Sequence, residues 1–244
     1  MRYIATIEAR MTSSRLPGKP LMEAAGKTML EHLVERLRAV PSIDGIVLAT
    51  TVNATDDQLS DAGHTLGIDV FRGSENDVMN RVLGAAESVK ADVIVEITGD
   101  CPLIDHNIVE QCIRMHKVHN VDYVSNVMVR SYPDGMDVQV FNCEVLRRSS
   151  KMTSEALDLE HVSLHIRNNP QLFSHIHLVA PPELHWPELG VTLDEQADFD
   201  LISEILNNFE GRNKPFTCLE IIDLLKKNPE LVDKNLSVVR KGNT

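Results

Sequence analysis

A loop near the start of the chain carries three positively charged side chains. Arg10, Arg15 and Lys19 follow the apolar run at residues 3–7 and share their loop with Gly18. Fixed positive charges can surround a polyphosphate, and a glycine lets the backbone approach it closely. The spacing is neither that of a P-loop nor the Gly-x-Gly-x-x-Gly of a dinucleotide-binding fold. We predict a different kind of nucleoside-triphosphate loop, and the alternative is a solvated loop with scattered surface charge.

A second candidate for chemistry is Asp100, which follows the apolar run at residues 93–97 and precedes Pro102. Mg²⁺ prefers hard oxygen ligands and usually takes one or two protein carboxylates, with phosphate oxygens and water in the other positions. A carboxylate fixed at the end of a buried strand could hold such an ion. On position alone, Asp100 could equally form a turn or cap a helix.

Several segments, taken in order, resemble a known family. They are Ala9-Arg10, residues 14–21, Gly26-Lys27, residues 29–32, 71–75, 97–105 and 132–138. The order is similar to that of the cytidylyltransferases that make CMP-activated acidic sugars, which include the acylneuraminate and 3-deoxy-manno-octulosonate cytidylyltransferases. The last three segments look closest to the spore coat polysaccharide biosynthesis protein F branch. The resemblance spans roughly residues 3–205.

This resemblance implies a CTP-dependent cytidylyltransferase that forms a CMP-sugar and pyrophosphate. The acceptor would be an ulosonic or nonulosonic acid used for surface polysaccharide. The resemblance also implies a homodimer, with residues 123–141 as the expected contact. Catalysis of nucleotidyl transfer depends mainly on in-line positioning and on neutralising the negative charge that spreads over the phosphates.

The resemblance also assigns residues to roles. The catalytic residues would be Lys19, Arg10 and Asp100, and the ligands of Mg²⁺ would be Asp100 and Asp194. Nucleotide-binding residues would be Ala9, Arg10, Ser14, Arg15, Lys19, Gly73, Ser74 and Thr98. Acceptor-binding residues would be Tyr132, Asp134, Asp137, Glu160 and His161. For Asp194, a simple N-cap of the helix that begins at Glu195 is the alternative, and the two roles are compatible.

Three positions depart from the pattern of the relatives. Glu8 stands where many carry Gln, and it adds negative charge beside the cationic loop. Leu159 stands where this branch often has Arg, and Gly190 stands where a basic residue is common. These changes remove potential contacts to the sugar or to phosphate.

The elements that must position these residues alternate between strands and helices. Strands are predicted at residues 3–7, 46–50, 69–71, 93–97 and 175–179, and helices at 29–40, 57–66, 77–89, 108–117, 144–149, 155–166, 196–208 and 217–227. This order predicts an α/β fold, a doubly wound, mostly parallel sheet of the Rossmann-like nucleotidyltransferase type, with a small β insertion at residues 123–141. Ligands of such sheets bind outside the carboxyl ends of the strands. The cationic loop and Asp100 should therefore meet at one rim.

Length and composition set further limits. The 244 residues include 43% hydrophobic side chains, which is enough for a sizeable core, and we predict one domain over residues 1–228 followed by a polar tail over 229–244. The net charge of −12 disfavours nucleic acid and anionic membranes as partners. We find no signal peptide and no long apolar segment, so we expect a cytoplasmic protein.

Two other classes of function stay open from the sequence. A glycosyltransferase that uses nucleotide sugars can share this sheet, although its common Asp-x-Asp spacing is broken here at Asp100-Cys101-Pro102. A noncatalytic nucleotide-binding subunit would account for the departures at Glu8 and Leu159. Release of pyrophosphate with a suitable acceptor would separate the cytidylyltransferase from both.

Overall fold

The computed structural model describes residues 1–240 of the chain. The strands in this part of the chain are β1 (Tyr3–Glu8), β2 (Glu23–Ala24), β3 (Lys27–Thr28), β4 (Gly45–Thr51), β5 (Asp69–Gly73), β6 (Val93–Thr98), β7 (Tyr123–Ser125), β8 (Gln139–Asn142) and β9 (His175–His177). Seven of them form one sheet in the order β5-β4-β1-β6-β8-β7-β9, and β2 and β3 form a separate ribbon.

The large sheet is mostly parallel. β1 lies between β4 and β6 and is parallel to both, and β5 adds to β4 in the same direction. β8 runs antiparallel to β6 and to β7, and β9 is parallel to β7. The predicted fold class is therefore confirmed. The carboxyl ends of β1 and β6 are neighbours, so the loops that follow them leave the sheet side by side.

Helices cover both faces of the sheet. They are α1 (Met29–Arg38), α2 (Asp57–Thr65), α3 (Val78–Ser88), α4 (His106–His119), α5 (Cys143–Ser150), α6 (Ala156–Glu160), α7 (Leu164–Asn168), α8 (Gln196–Asn208), α9 (Cys218–Lys227) and α10 (Pro229–Val232). Apolar side chains of α1, α2, α4, α8 and α9 pack in one core, and those of α3, α5 and α7 pack in the other. Full burial of each Leu or Ile contributes about 1.5–3 kcal/mol.

Polar side chains cap the starts of several helices. The Thr28 hydroxyl accepts a hydrogen bond from the backbone N–H of Glu31 at the start of α1. Asp105 accepts from the N–H of Asn107 at the start of α4, and its other oxygen accepts from the N–H of Cys218 at the start of α9. Such caps satisfy backbone donors that have no partner within the helix.

The structure differs from the predicted elements in several places. The two strands found in residues 123–141, β7 and β8, belong to the main sheet. The helix predicted over 155–166 is wrong as one unit, because a break at residues 161–163, with Val162 at φ 33°, separates α6 from α7. The run at 93–97 is not continuously apolar, since Glu96 is buried within it. The first two differences reflect tertiary packing, which overrides local preference.

The chain after residue 228 is folded against the rest of the protein as far as residue 240. Leu231 and Val232 pack against the larger core, and Asn235 is buried. Residues 229–240 therefore contribute some packing, which the prediction of a polar tail did not include. Residues 241–244 of that predicted tail lie outside the described residues, and the domain boundary at 228 stays a prediction.

Candidate active site

The cationic loop follows β1 and is closed by its own backbone. Gly18 has φ 77°, a left-handed conformation that costs glycine little and other residues more. Its N–H donates to the carbonyl oxygen of Met11 over 2.9 Å, and a short 3-10 turn begins at Lys19. The Pro17-Gly18 sequence thus turns the chain so that Lys19 points back toward the sheet rim.

Lys19 joins three parts of the chain. Its Nζ atom lies 3.0 Å from Oδ2 of Asp100 and 3.2 Å from Oδ1 of Asp194, and it donates to the carbonyl oxygen of Leu193 over 2.6 Å. Nη2 of Arg15 also lies 2.8 Å from Oδ1 of Asp194. Two carboxylates and two cations from distant segments therefore meet at the carboxyl ends of β1 and β6.

The charges in this group stabilise one another. Burial alone would lower the pKa of Lys19, but the charges of Asp100 and Asp194 and their hydrogen bonds outweigh it and raise the pKa. Burial would likewise raise the pKa of Asp100, yet Lys19 and nearby hydrogen bonds hold it below its ordinary value. Lys19 and Asp100 are therefore both charged at neutral pH.

A second contact links the cationic loop to the turn after β5. Nη1 of Arg10 lies 2.6 Å from Oε1 of Glu75, which also accepts from the hydroxyl of Thr12 over 2.9 Å. Oε2 of Glu75 accepts from Nδ2 of Asn53 over 2.7 Å. Arg81 donates to the carbonyl oxygens of Ser74 and Glu75 and so anchors this turn. Glu75 therefore holds the side chain of Arg10 next to the predicted Gly73-Ser74 nucleotide contact.

The loop that carries Asp194 is built on a buried carboxylate. Asp198 is fully buried, and its Oδ2 accepts hydrogen bonds from the N–H groups of Asp194 and Glu195 over 3.0 and 2.9 Å. Glu195, not Asp194, is the N-cap of α8, in a capping box with Asp198. The side chain of Asp194 is thus directed to Lys19 and Arg15, and the alternative capping role does not apply.

Residues 132–137 are attached to the same rim. The N–H of Asp134 donates to the carbonyl oxygen of Leu189, and the N–H of Val191 donates to that of Asp134. Gly135 has φ 103°, and a Cβ atom there would lie 2.7 Å from the backbone nitrogen of Thr192. The N–H of Leu193 donates to the carbonyl oxygen of Asp100 over 2.8 Å. Only glycine fits where the three loops approach this closely.

Arg130 forms a small polar group with two predicted acceptor residues. Its Nη1 lies 2.9 Å from Oδ1 of Asp137 and 3.6 Å from Oδ1 of Asp134. Burial raises the pKa of Asp137 to about 6 and also raises that of Asp134, while the Arg130 guanidinium opposes both shifts. The negative charge of Asp100 also raises the pKa of both carboxyls. This group therefore lies beside the Lys19 cluster.

Other predicted residues are not brought into these groups. Tyr132 is 1% exposed and lies in the larger core, where burial raises the pKa of its hydroxyl to about 12. Glu160 and His161 are exposed at the end of α6, and neither side chain hydrogen-bonds within residues 1–240. Ser14 is exposed in the cationic loop. Alternating or turn-rich sequence alone did not distinguish core residues from surface residues here.

Ala9 and Thr98 occupy the rim between the two key loops. Ala9 is buried, and its N–H donates to the carbonyl oxygen of Ala49 over 3.4 Å. The hydroxyl of Thr98 lies 3.1 Å from Sγ of Cys101, whose thiol is buried. Both residues therefore adjoin the predicted nucleotide site without charged side chains of their own.

The last described residues also reach the site. Nη1 of Arg15 donates to the carbonyl oxygen of Val239 over 3.4 Å. Nη2 of Arg240 lies 2.9 Å from Oδ1 of Asp198, and its guanidinium occupies the space beside Gly190 where a side chain would begin. The sequence offered no periodic signal for this contact, because it joins residues more than 40 positions apart.

Sequence reasoning noted Glu8 but missed Glu96, its neighbour across the sheet. Glu8 and Glu96 lie on adjacent strands, and Oε2 of each carboxyl is buried with no hydrogen-bond partner within residues 1–240. Burial raises the pKa of both, and that of Glu96 reaches about 8. The signal was present in the sequence, since a carboxylate inside the run Val-Ile-Val-Glu-Ile is unexpected in a buried strand.

Comparisons with known proteins identify the family to which the chain belongs. Residues 4–215 match the family model described as cytidylyltransferase. The solved structure of a cytidylyltransferase from Leptospira borgpetersenii superposes with a TM-score of 0.90 at 28% identity, over 98% of this chain and all of the other. Spore coat polysaccharide biosynthesis protein SpsF of Bacillus subtilis is 34% identical over 92% of this chain and 94% of its own.

A third relative matches over a shorter stretch. The mitochondrial 3-deoxy-manno-octulosonate cytidylyltransferase of Arabidopsis thaliana is 33% identical over 153 residues, which are 60% of this chain and 51% of the relative. In residues 1–240 no helix combines the length and apolarity needed to cross a membrane. The family match covers most of the chain, including Lys19, Asp100 and Asp194. The chain therefore belongs to the cytidylyltransferase family and is a nucleotidyltransferase.

Proposed function

We propose that this nucleotidyltransferase transfers CMP from CTP to a sugar acid of the ulosonic or nonulosonic type, for surface polysaccharide. The observation that carries the proposal is the position of the Lys19 ammonium between Asp100 and Asp194, at the rim where the loops after β1 and β6 meet. The names of the Bacillus subtilis and Arabidopsis thaliana relatives support the substrate class. The polar group of Arg130, Asp134 and Asp137 beside this rim supports an acceptor site there.

In the proposed reaction, a hydroxyl oxygen of the acceptor forms a bond to the α-phosphorus of CTP. The bond from that phosphorus to the bridging oxygen breaks, the electron pair leaves with pyrophosphate, and the hydroxyl proton passes to water. Negative charge spreads over the phosphates during this exchange, so fixed cations stabilise the transition state more than the ground state. Lys19, Arg15 and Arg10 supply that charge.

Magnesium fits the same cluster. Within residues 1–240 no group of three or more His, Cys, Asp or Glu side chains is arranged to hold a metal ion, but Mg²⁺ bound with a nucleotide needs only one or two protein carboxylates. Asp100 and Asp194 converge on a single cation, Lys19, and are hard oxygen donors. These two residues would hold the ion, and it would neutralise phosphate charge.

The partners and setting of the enzyme form part of the proposal. A homodimer would use residues 123–141, where Met128 and Val129 expose 43% and 51% of their surface. Light scattering tests this, and a monomer at micromolar concentration would contradict it. We also propose that the enzyme resides in the cytoplasm, where CTP is available.

The first experiment is thermal unfolding with CTP, ATP, GTP, UTP and dTTP in the presence of Mg²⁺. A ligand at 100 times its dissociation constant adds about 2.7 kcal/mol, so binding is readily detected. We expect stabilisation selective for CTP, lost in Lys19→Ala and retained in Lys27→Ala, a lysine paired with Glu35 away from the site. Pyrophosphate release from CTP and a sugar acid completes the test. Absence of a shift with every triphosphate would overturn the proposal.

A further inference from the structure

Arg240 reaches the candidate active site from the C-terminal segment at residues 235–240. Its side chain is only 10% exposed, and Nη2 lies 2.9 Å from Oδ1 of the fully buried Asp198. Its Nε lies 3.9 Å from Oδ2 of Asp134. The third nitrogen, Nη1, is buried without a hydrogen-bond partner in residues 1–240. One guanidinium therefore connects the loop of Asp134 to the carboxylate that supports the loop of Asp194.

The space for this guanidinium exists because residue 190 is glycine. The three atoms that an added Cβ at Gly190 would meet first are Cζ, Nη2 and Nε of Arg240, and all three would clash with it. Gly190 is not among the glycines with positive φ, so its backbone conformation is open to other residues. The guanidinium itself is what excludes a side chain there. A position where a basic residue is common thus has a basic group beside it, supplied by residue 240.

The buried carboxylate of Asp198 depends on Arg240 for its compensating charge. A carboxylate away from water is costly unless it is hydrogen-bonded and paired with a cation. Within residues 1–240, Arg240 is the one cationic side chain within 4.0 Å of Asp198. The other donors are neutral: the N–H groups of Asp194 and Glu195, and Nδ2 of Asn235. Loss of the guanidinium would leave this carboxylate with neutral donors alone.

The end of the described chain acts on Asp194 by two routes. In the first, Asp198 accepts from the N–H of Asp194 over 3.0 Å and from Arg240 at its other oxygen. In the second, the carbonyl oxygen of Val239 accepts from Nη1 of Arg15 over 3.4 Å, and Nη2 of Arg15 lies 2.8 Å from Oδ1 of Asp194. A shift of the last described residues would therefore move Asp194, and a displacement of about 1 Å can lower a rate about 10²-fold.

We propose that Arg240 is a positioning residue for nucleotidyl transfer. Seated in the space beside Gly190, it holds Asp198 and through it fixes the position of Asp194, while its contact with Asp134 connects this support to the proposed acceptor site. The inference rests on the proposed function and adds a residue to the same site. Arg240 acts through these carboxylates and does not contact the reacting atoms.

The test uses Gly190→Ala and Arg240→Ala, singly and together, in the full-length protein. Arg240→Ala removes the guanidinium, and Gly190→Ala displaces it with one methyl group while residue 240 stays unchanged. The assay is pyrophosphate release from CTP, with 3-deoxy-manno-octulosonate or an acylneuraminate as acceptor. We expect kcat to fall at least about tenfold in each single variant, with KM for CTP changed less than about threefold because Arg10 and Lys19 remain.

The double variant measures whether the two changes act through the same group. Once the guanidinium is gone, Gly190→Ala has nothing left to displace. We therefore expect kcat of the double variant to equal that of Arg240→Ala, whereas independent effects would multiply.

Two further variants separate positioning from simple stabilisation. Arg240→Lys keeps a positive charge for Asp198 and should recover part of the lost kcat. Lys234→Ala, in the same segment, removes an exposed ion pair to Glu204 and should retain wild-type kcat. Circular dichroism and urea unfolding check that each variant is folded at the assay temperature. A residue needed for stability alone would lower the free energy of unfolding and leave kcat of the folded enzyme unchanged.

The outcomes separate this inference from the function on which it rests. Wild-type kcat in Arg240→Ala or in Gly190→Ala would overturn the inference while leaving the cytidylyltransferase intact. A further loss when Gly190→Ala is added to Arg240→Ala would contradict the shared mechanism, and an equal loss in Lys234→Ala would assign the effect to the whole segment instead of Arg240. Wild-type protein that releases no pyrophosphate from CTP with either acceptor would instead refute the proposed function.

Discussion

The ammonium group of Lys19 lies 3.0 Å from the carboxylate of Asp100, although 81 positions separate the two residues in the chain. The contact joins the loop after β1 to the loop after β6, and Asp194 completes it from a third loop. In this arrangement Lys19 and Arg15 neutralise two carboxylates that would otherwise repel each other and repel a polyphosphate. The cluster is the part of the molecule on which the proposed chemistry depends most.

Replacement of Lys19 tests that dependence. In Lys19→Ala, we expect kcat/KM for pyrophosphate release to fall by about 10²–10³, because a fixed donor to developing phosphate charge is lost. Steady-state kinetics measure the loss, and circular dichroism checks that the fold persists. Lys27→Ala is the matched control, since within residues 1–240 Lys27 pairs with Glu35 alone, and this variant should retain activity. Wild-type turnover in Lys19→Ala would exclude a catalytic role.

The buried carboxylate of Asp198 supports the loop of Asp194. Asp198 accepts from two backbone N–H groups, from Nδ2 of Asn235 and from Arg240. Asp198→Ala leaves these donors unpaired and should lower the free energy of unfolding by about 3 kcal/mol. Urea denaturation measures this. Asp200→Ala, two residues further along α8 and exposed, should change stability by less than about 0.5 kcal/mol.

A comparison of Gly26 and Gly135 distinguishes backbone strain from a steric clash. Gly26 and Gly135 both have positive φ, at 73° and 103°, but only Gly135 has backbone atoms within 3 Å of an added Cβ. Gly26→Ala should cost about 1 kcal/mol from backbone conformation alone. Gly135→Ala should cost about 3 kcal/mol, because the clash with residues 191–192 adds to it. Chemical denaturation of both variants gives the comparison, and equal losses would count against the close approach.

The pKa of Glu96 makes stability depend on pH. Burial raises this pKa from its ordinary 4.5 to about 8, against the lowering effect of Arg167. Between these values the folded protein keeps a proton that the unfolded chain releases, so stability falls as pH rises through this window. Glu96→Gln removes the effect.

We therefore expect Glu96→Gln and the wild type to have similar free energies of unfolding at pH 5. Toward pH 8, the free energy of unfolding of the variant should exceed that of the wild type by more than about 1 kcal/mol, because a one-unit difference in pKa corresponds to about 1.4 kcal/mol. Thermal or urea unfolding across this range measures the gain. The charges of Glu8, Arg81 and Asp100 also influence ionisation in this part of the sheet. The variant Glu87→Gln, at an exposed glutamate, serves as the control. Parallel stability curves for Glu96→Gln and the wild type would show that Glu96 is already ionised.

The sequence alone determined the fold class and the family. Strands of buried β-branched residues and helices with apolar faces repeat along the chain, and these local patterns report which side chains must be buried. The cationic loop was recognisable because Arg10, Arg15, Gly18 and Lys19 are close in sequence. Asp100 could be placed at the rim because the carboxyl ends of parallel strands share one edge.

Only the tertiary structure decided which of these groups meet. The pairing of Lys19 with Asp100 and Asp194, the support of Asp194 by Asp198, and the burial of Tyr132 each depend on contacts between distant segments. Local sequence carries no measure of such distances. Likewise, Glu8 and Glu96 are single charges on separate strands in the sequence, and they become a pair because the register of β1 and β6 sets their side chains on one buried face.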